Sequence, residues 1–166
     1  MDAIQPYMNM LQVLFGGFSV VFLLAQLKRD NSIIDIFWGI SFILGTGTLL
    51  RDKPGRLAPR AVLLFVLVLL WGLRLAVYLG VRNLPDGEDA RYVYLRKRFS
   101  KGGYIVYLLK AFFLIFMVQM MFNLLVGSAA YYAIVNSTAA HKLTTLDWVG
   151  TAIFAFGLVF EATADA

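Results

Sequence analysis

Four ionisable side chains in this 166-residue sequence stand inside stretches that are otherwise almost wholly apolar: Asp35, Arg74, Glu161 and Asp165. A charge held in hydrocarbon costs about 2.5 to 3.5 kcal/mol on insertion scales, so each needs a partner or a purpose. Asp35 opens Asp35-Ile36-Phe37-Trp38-Gly39, with Trp38 on nearly the same helical face. It reads either as an acid favoured by a helix N-terminus, with Trp38 as an interfacial anchor, or as the lining of a site. Arg74 lies about midway along its apolar block, in Trp71-Gly72-Leu73-Arg74-Leu75. An ion pair with Asp35 or Glu161 would satisfy it, and so would a phosphate or carbonyl, since a guanidinium serves either purpose. Glu161 and Asp165 are one helical turn apart, repel each other, and require something positive nearby. Arg74, the Arg82 to Lys101 loop and the donors of a ligand are the alternatives.

Uncharged polar residues add to this set. Gln119 and Asn123 share one helix face at a spacing of i,i+4 and read as interhelical hydrogen-bonding groups or as site lining. Lys110 is close enough to an interface to snorkel. The segment Gly87-Glu88-Asp89-Ala90-Arg91-Tyr92 places acids before bases, as at a helix N-terminus. Tyr92 to Phe99 then reads as a short interfacial helix, or as a rim able to bind an anionic nucleotide.

The elements that must position these residues are legible from composition. Hydrophobic residues make up 60% and charged residues 15% of the chain, and the mean hydropathy is +0.74. An ordinary soluble domain is about 45 to 50% apolar and about 25% charged. The apolar residues fall in long blocks, and about 20 of them cross about 30 Å of hydrocarbon as a helix. Five blocks qualify: Met8 to Leu27, Ser32 (as N-cap) to Leu50, Ala61 to Gly80, Tyr104 to Val135, and Leu146 to Ala164. The fourth is too long for one upright span and implies either a tilted helix or a break near Gly127-Ser128. The expected fold is an all-α, polytopic transmembrane helix bundle forming one domain over residues 1–166. The first block lacks the basic start and cleavage site of a signal peptide and reads as a retained helix.

Lys and Arg counts favour the N-terminus outside and the Arg82 to Lys101 loop inside, with eight basic residues on the inner side against five on the outer. The net charge of +5 resides in loops between apolar blocks. Its expected partners are therefore the lipid bilayer with its anionic head groups, or a phosphorylated cofactor, and not nucleic acid. The absence of Cys excludes disulfides and thiolate chemistry, and the single His141 cannot build a His-rich metal site.

Taken in order, Asp35-x-x-Trp38-Gly39, Trp71-Gly72-Leu73-Arg74-Leu75 with Arg82, Gly87-Glu88-Asp89-x-Arg91-Tyr92, and Gly157-x-x-x-Glu161-x-x-x-Asp165 resemble a bacterial membrane family related to steroid 5-alpha-reductases. The resemblance covers nearly the whole chain. It implies an NADPH-dependent reduction of a carbon-carbon double bond conjugated to a carbonyl, in a hydrophobic small-molecule substrate of steroid or isoprenoid type, in a bacterial cytoplasmic membrane. By the same resemblance, Asp35 occupies the position of the carbonyl-polarising acid. Arg74, Arg82, Arg91, Glu161 and Asp165 fall where the NADPH would be held. Relatives continue past the Asp165 position with a further cofactor motif, so the resemblance also implies a C-terminally incomplete chain, with five helices visible of about seven. Two other classes fit the same residues: a membrane methyltransferase of the isoprenylcysteine type, and a non-catalytic membrane protein or transporter whose charges pair with one another.

Overall fold

The computed structural model describes residues 4–53, 55, 57–83, 85, 87–140 and 142–165; His141 lies outside them. Every described element is helical. They are α1 (Gln5–Lys28), α2 (Ile33–Arg51), α3 (Pro59–Asn83), α4 (Ala90–Phe99), α5 (Tyr104–Ala111), α6 (Val118–Asn136) and α7 (Thr145–Ala164). A 3₁₀ turn, Ser100–Gly102, joins α4 to α5, and a π-helical stretch, Phe112–Met117, joins α5 to α6. The helix Tyr104–Asn136 is thus continuous, and five helices are long and apolar enough to cross a membrane. The chain is a multi-pass integral membrane protein of all-α class.

The long fourth block does not break at Gly127-Ser128. Gly127 is buried in α6, where a Cβ would lie 2.5 Å from the Tyr131 ring, so its small size serves packing. The irregularity falls instead at Phe112–Met117, where Phe22 of α1 meets Phe112 and Phe116 at centroid distances of 5.1 and 5.3 Å.

Helix α2 is the axis of the bundle, packed against α1, α3 and α6. Its buried face carries Gly39, Ser41, Gly45, Thr46 and Thr48. Between membrane helices the hydrophobic effect supplies little driving force, and small residues gain packing by letting backbones approach. The clearest case is the crossing of α2 and α3. A Cβ on Gly39 would stand 2.3 Å from the Gly72 carbonyl oxygen, and one on Gly72 would stand 2.6 Å from that of Gly39. The neighbouring rings extend the contact, with Phe42 edge-on to both Trp38 and Trp71 at 5.1 and 5.4 Å. Helix α1 contributes Met10, Leu14, Phe18, Val21 and Ala25, a stripe at spacings of four, four, three and four.

Buried polar links hold the bundle where lipid cannot solvate them. Asn123 is fully buried and donates to Ser41 Oγ at 2.7 Å, while Tyr131 donates to Asn123 Oδ1 at 2.7 Å. Of the Gln119/Asn123 face, Asn123 is therefore an interhelical link. At the basic end, Glu88 accepts from the Asn31 backbone N–H at 2.8 Å and from Arg96 through both carboxylate oxygens at 2.8 Å. Tyr107 joins this knot, accepting from Asn31 at 3.1 Å and donating to Gln26 at 2.8 Å. The knot fastens the segment before α4 to the α1–α2 turn, which lays α4 across the end of the bundle. Ser32 stands at the N-cap position of α2 without a capping bond; its hydroxyl donates to Asp30.

Candidate functional site

Helix α4 begins where Asp89, as N-cap, accepts the Arg91 backbone N–H at 2.8 Å. That fixes the first turn and directs Arg91 and Tyr92 toward the start of α2. The Tyr92 hydroxyl donates to Asp35 Oδ1 at 2.7 Å, and Arg91 Nη2 donates to Asp35 Oδ2 at 2.9 Å. The Arg91 guanidinium also reaches Asp89, with Nε at 2.9 Å from Oδ1, so it bridges two carboxylates. Tyr92 is buried, whereas the Arg91 side chain is 70% exposed at the rim.

Asp35, Asp89 and Arg91 border a cavity of about 300 Å³, lined also by Trp38, Leu75, Leu79, Arg82, Asn83 and Gln119; Tyr92 is not among the lining residues and reaches the site through Asp35. Leu75, Leu79 and Arg82 are spaced i, i+4, i+7 and form one face of α3. The site therefore has an apolar wall from α3 and a polar wall from α2 and α4. Arg82 touches the Tyr78 hydroxyl at 3.3 Å and has no carboxylate at ion-pair distance among the described residues.

Electrostatics at the rim follow from burial and pairing. Burial first, and the Asp35 carboxylate second, push the Tyr92 phenol above its ordinary value, so it remains a protonated donor across the physiological range. The Arg91 side chain, followed by its backbone N–H, holds Asp89 below the usual carboxylate range. Arg91 itself is raised, chiefly by its hydrogen bond to Asp89.

The residues expected to hold a cofactor divide between two places. Arg82 and Arg91 share the cavity with Asp35. Arg74, Glu161 and Asp165 meet instead along the seam between α3 and α7. There Arg74 Nη1 donates to Glu161 Oε1 at 2.7 Å, and Nη2 donates to Asp165 Oδ2. Of the two acids weighed as partners for Arg74, Glu161 is the one it meets; Asp35 belongs to Arg91 and Tyr92. A second pair, Arg60 with Asp147 through two bonds of 2.7 and 2.9 Å, lies at the opposite end of the same seam. Helix α7 has no buried residue and rests on the bundle along α3.

Sequence reading did not single out Tyr92 as a donor or Leu75 and Leu79 as a wall. The only local signal for Tyr92 was its place one residue after Arg91 in a charged motif. Among the described residues no cluster of His, Asp or Glu is arranged to hold a metal ion.

No curated protein and no solved structure matches the chain. Residues 21–166 match the family model described as protein of unknown function (DUF1295), and the chain, matched over far more than half its length, belongs to that family.

Proposed function

We propose that this protein is a membrane-embedded, NADPH-dependent reductase of a carbonyl-conjugated carbon-carbon double bond in a steroid- or isoprenoid-like substrate, as a relative of the steroid 5-alpha-reductases. The observation that carries the reading is the Asp35 carboxylate, which lines a small cavity with one apolar wall and accepts the Tyr92 phenol from behind that lining. The phenol has one proton and gives it to Asp35, so it would become a donor to substrate by turning from that carboxylate to a carbonyl oxygen. Aimed at a carbonyl oxygen, it stabilises the negative charge that develops there when hydride arrives at the β-carbon, and such donors supply much of the rate in enolate-forming reactions. Asp35 holds the phenol in place before substrate arrives, and Arg91 offsets the carboxylate's charge. Trp38, Leu75 and Leu79 keep water from the apolar end of the cavity, where a lipid-like skeleton would lie.

NADPH would supply the hydride when bound. Its phosphates require a cation that is not already neutralised, and Arg82 meets that requirement, with Arg91 at the rim beside it. A cavity of about 300 Å³ takes a ring-sized group and not a whole dinucleotide, so only the nicotinamide end would enter it. Glu161 and Asp165 could reach a cofactor only by releasing Arg74. Their mutual pairing favours, for that seam alone, a structural role.

The test is binding of NADPH by the purified full chain, followed by its oxidation in the presence of a 3-oxo-4-ene steroid or an enone-bearing polyprenoid. Tyr92→Phe should lower kcat/KM about 100-fold or more with the NADPH affinity retained, and Arg82→Ala should weaken NADPH binding. Binding of S-adenosylmethionine in place of NADPH would replace this reading with a methyltransferase. Binding of neither would remove both.

A further inference from the structure

A second cavity, of about 670 Å³, opens between α4 and α5 and is lined by Leu95, Arg98, Phe99, Lys101, Lys110 and Leu114. It owes its shape to Gly103, whose φ of +92° lets the chain reverse from the interfacial helix α4 into the span that starts at Tyr104. The two helices diverge from that turn and leave a cleft facing the bilayer.

Its three cations, like Arg82, differ from the arginines that brace the bundle at this end through carboxylates. Arg74, Arg91 and Arg96 are each bound to a carboxylate. Arg98, Lys101 and Lys110 are exposed, and none has an ion pair or side-chain hydrogen bond among the described residues. They also stand at different depths. Arg98 and Lys101 are at the turn, while Lys110 is six residues into the span, about 9 Å deeper. A lysine there points its ammonium back toward the head-group level along its apolar stem. Leu114, one turn further along the same face and 56% exposed, continues the cleft into the hydrocarbon. Positive charge at the mouth, a cation reaching up from below and an apolar floor match one chemistry: a phosphodiester head group with an acyl chain attached.

We propose that the α4–α5 cleft binds an anionic phospholipid of the leaflet at the basic end of the bundle, the cytoplasmic leaflet by the Lys/Arg asymmetry. The phosphodiester lies among Arg98, Lys101 and Lys110, and one acyl chain runs over Leu95, Phe99 and Leu114. This site is separate from the Asp35 cavity and does not depend on the reductase reading.

The experiment is native mass spectrometry of the full chain, purified in a neutral detergent and offered equal amounts of phosphatidylglycerol and phosphatidylcholine. The wild type should retain phosphatidylglycerol about tenfold over phosphatidylcholine. The variant R98Q/K101Q/K110Q should lose that preference. K28Q/K97Q, which removes two exposed cations of α1 and α4 that do not line the cleft, should keep it. Leu114→Trp, which fills the apolar floor and leaves every charge in place, should lower retention of phosphatidylglycerol severalfold. Equal retention of the two lipids by the wild type overturns the proposal, and so does an equal loss in K28Q/K97Q, which would mean diffuse attraction. Displacement of phosphatidylglycerol by millimolar inorganic phosphate would make the cleft an anion site and overturn the lipid assignment.

Discussion

The Asp35 cavity and the α3–α7 seam each place an arginine between two carboxylates, yet they are chemically unlike. At the seam, Arg74 spends two of its donors on Glu161 and Asp165, and the three charges answer one another. At the cavity, Arg91 bridges Asp35 and Asp89, but a neutral phenol also leans on Asp35, and Gln119 and Arg82 line the cavity with neutral tyrosines and, among the described residues, no carboxylate as their partners. A charge inside a membrane span thus does not by itself mark chemistry. What distinguishes the two regions is whether donors remain that can turn toward a visitor.

Removing what both regions share should have the largest effect. Gly39→Val puts a branched side chain against the Gly72 carbonyl, backbone against backbone, where nothing flexible can give way. The expected cost is about 3 kcal/mol, seen as loss of the monodisperse protein or a large fall in Tm, with cavity and seam lost together. Next is the seam alone. Arg74→Ala leaves two acids facing each other in hydrocarbon and should cost about 2.5 kcal/mol. The charge-free variant R74L/E161Q/D165N should regain most of that Tm. If the cofactor belongs to the cavity, this variant binds NADPH within about twofold of the wild type, because the seam's charges are replaced as a set. A loss of NADPH binding in a stable charge-free variant would move the cofactor to the seam.

The smallest effect is at the cavity rim. Asp89→Ala removes the α4 cap and should cost about 1 kcal/mol at neutral pH. Because the folded protein depresses Asp89, its contribution is complete above the ordinary carboxylate value of 3.8 and is lost as pH falls through the lower folded value. Amide exchange in α4 should accelerate over that acid range in the wild type, and the Asp89→Ala protein should lack the step.

Much of the scaffold was legible in the sequence, because spans are written in long apolar blocks and α4 in a capped, charged segment. The pairing of Arg74 with Glu161 was legible as one of two options, and the need of the Glu161/Asp165 pair for a cation was legible outright. The partners of Asp35 were not. Asp35 and Arg74 both lie toward the basic end from the Gly39/Gly72 crossing, at about 6 and 3 Å along their helices. Depth alone would have joined them. The rotation of each helix decides otherwise, and rotation is set by packing at that crossing and by the Glu88 knot, whose members are far apart in sequence. The Trp38-Gly39 and Trp71-Gly72 dipeptides carried the missing information as a close backbone approach. A single chain does not show that two such dipeptides meet.

Arg60 and Asp147 are separated by 87 positions, and so are Arg74 and Glu161. The two pairs are therefore 14 residues apart on both helices, about 21 Å of rise, and they fix α7 parallel to α3 like two rungs at a set pitch. A shift of α7 by one turn would unmake both rungs at once, so this helix cannot creep along its neighbour and is either seated or detached. Since α7 is also the least apolar of the five spans, its depth in the bilayer is dictated by α3 more than by its own affinity for lipid.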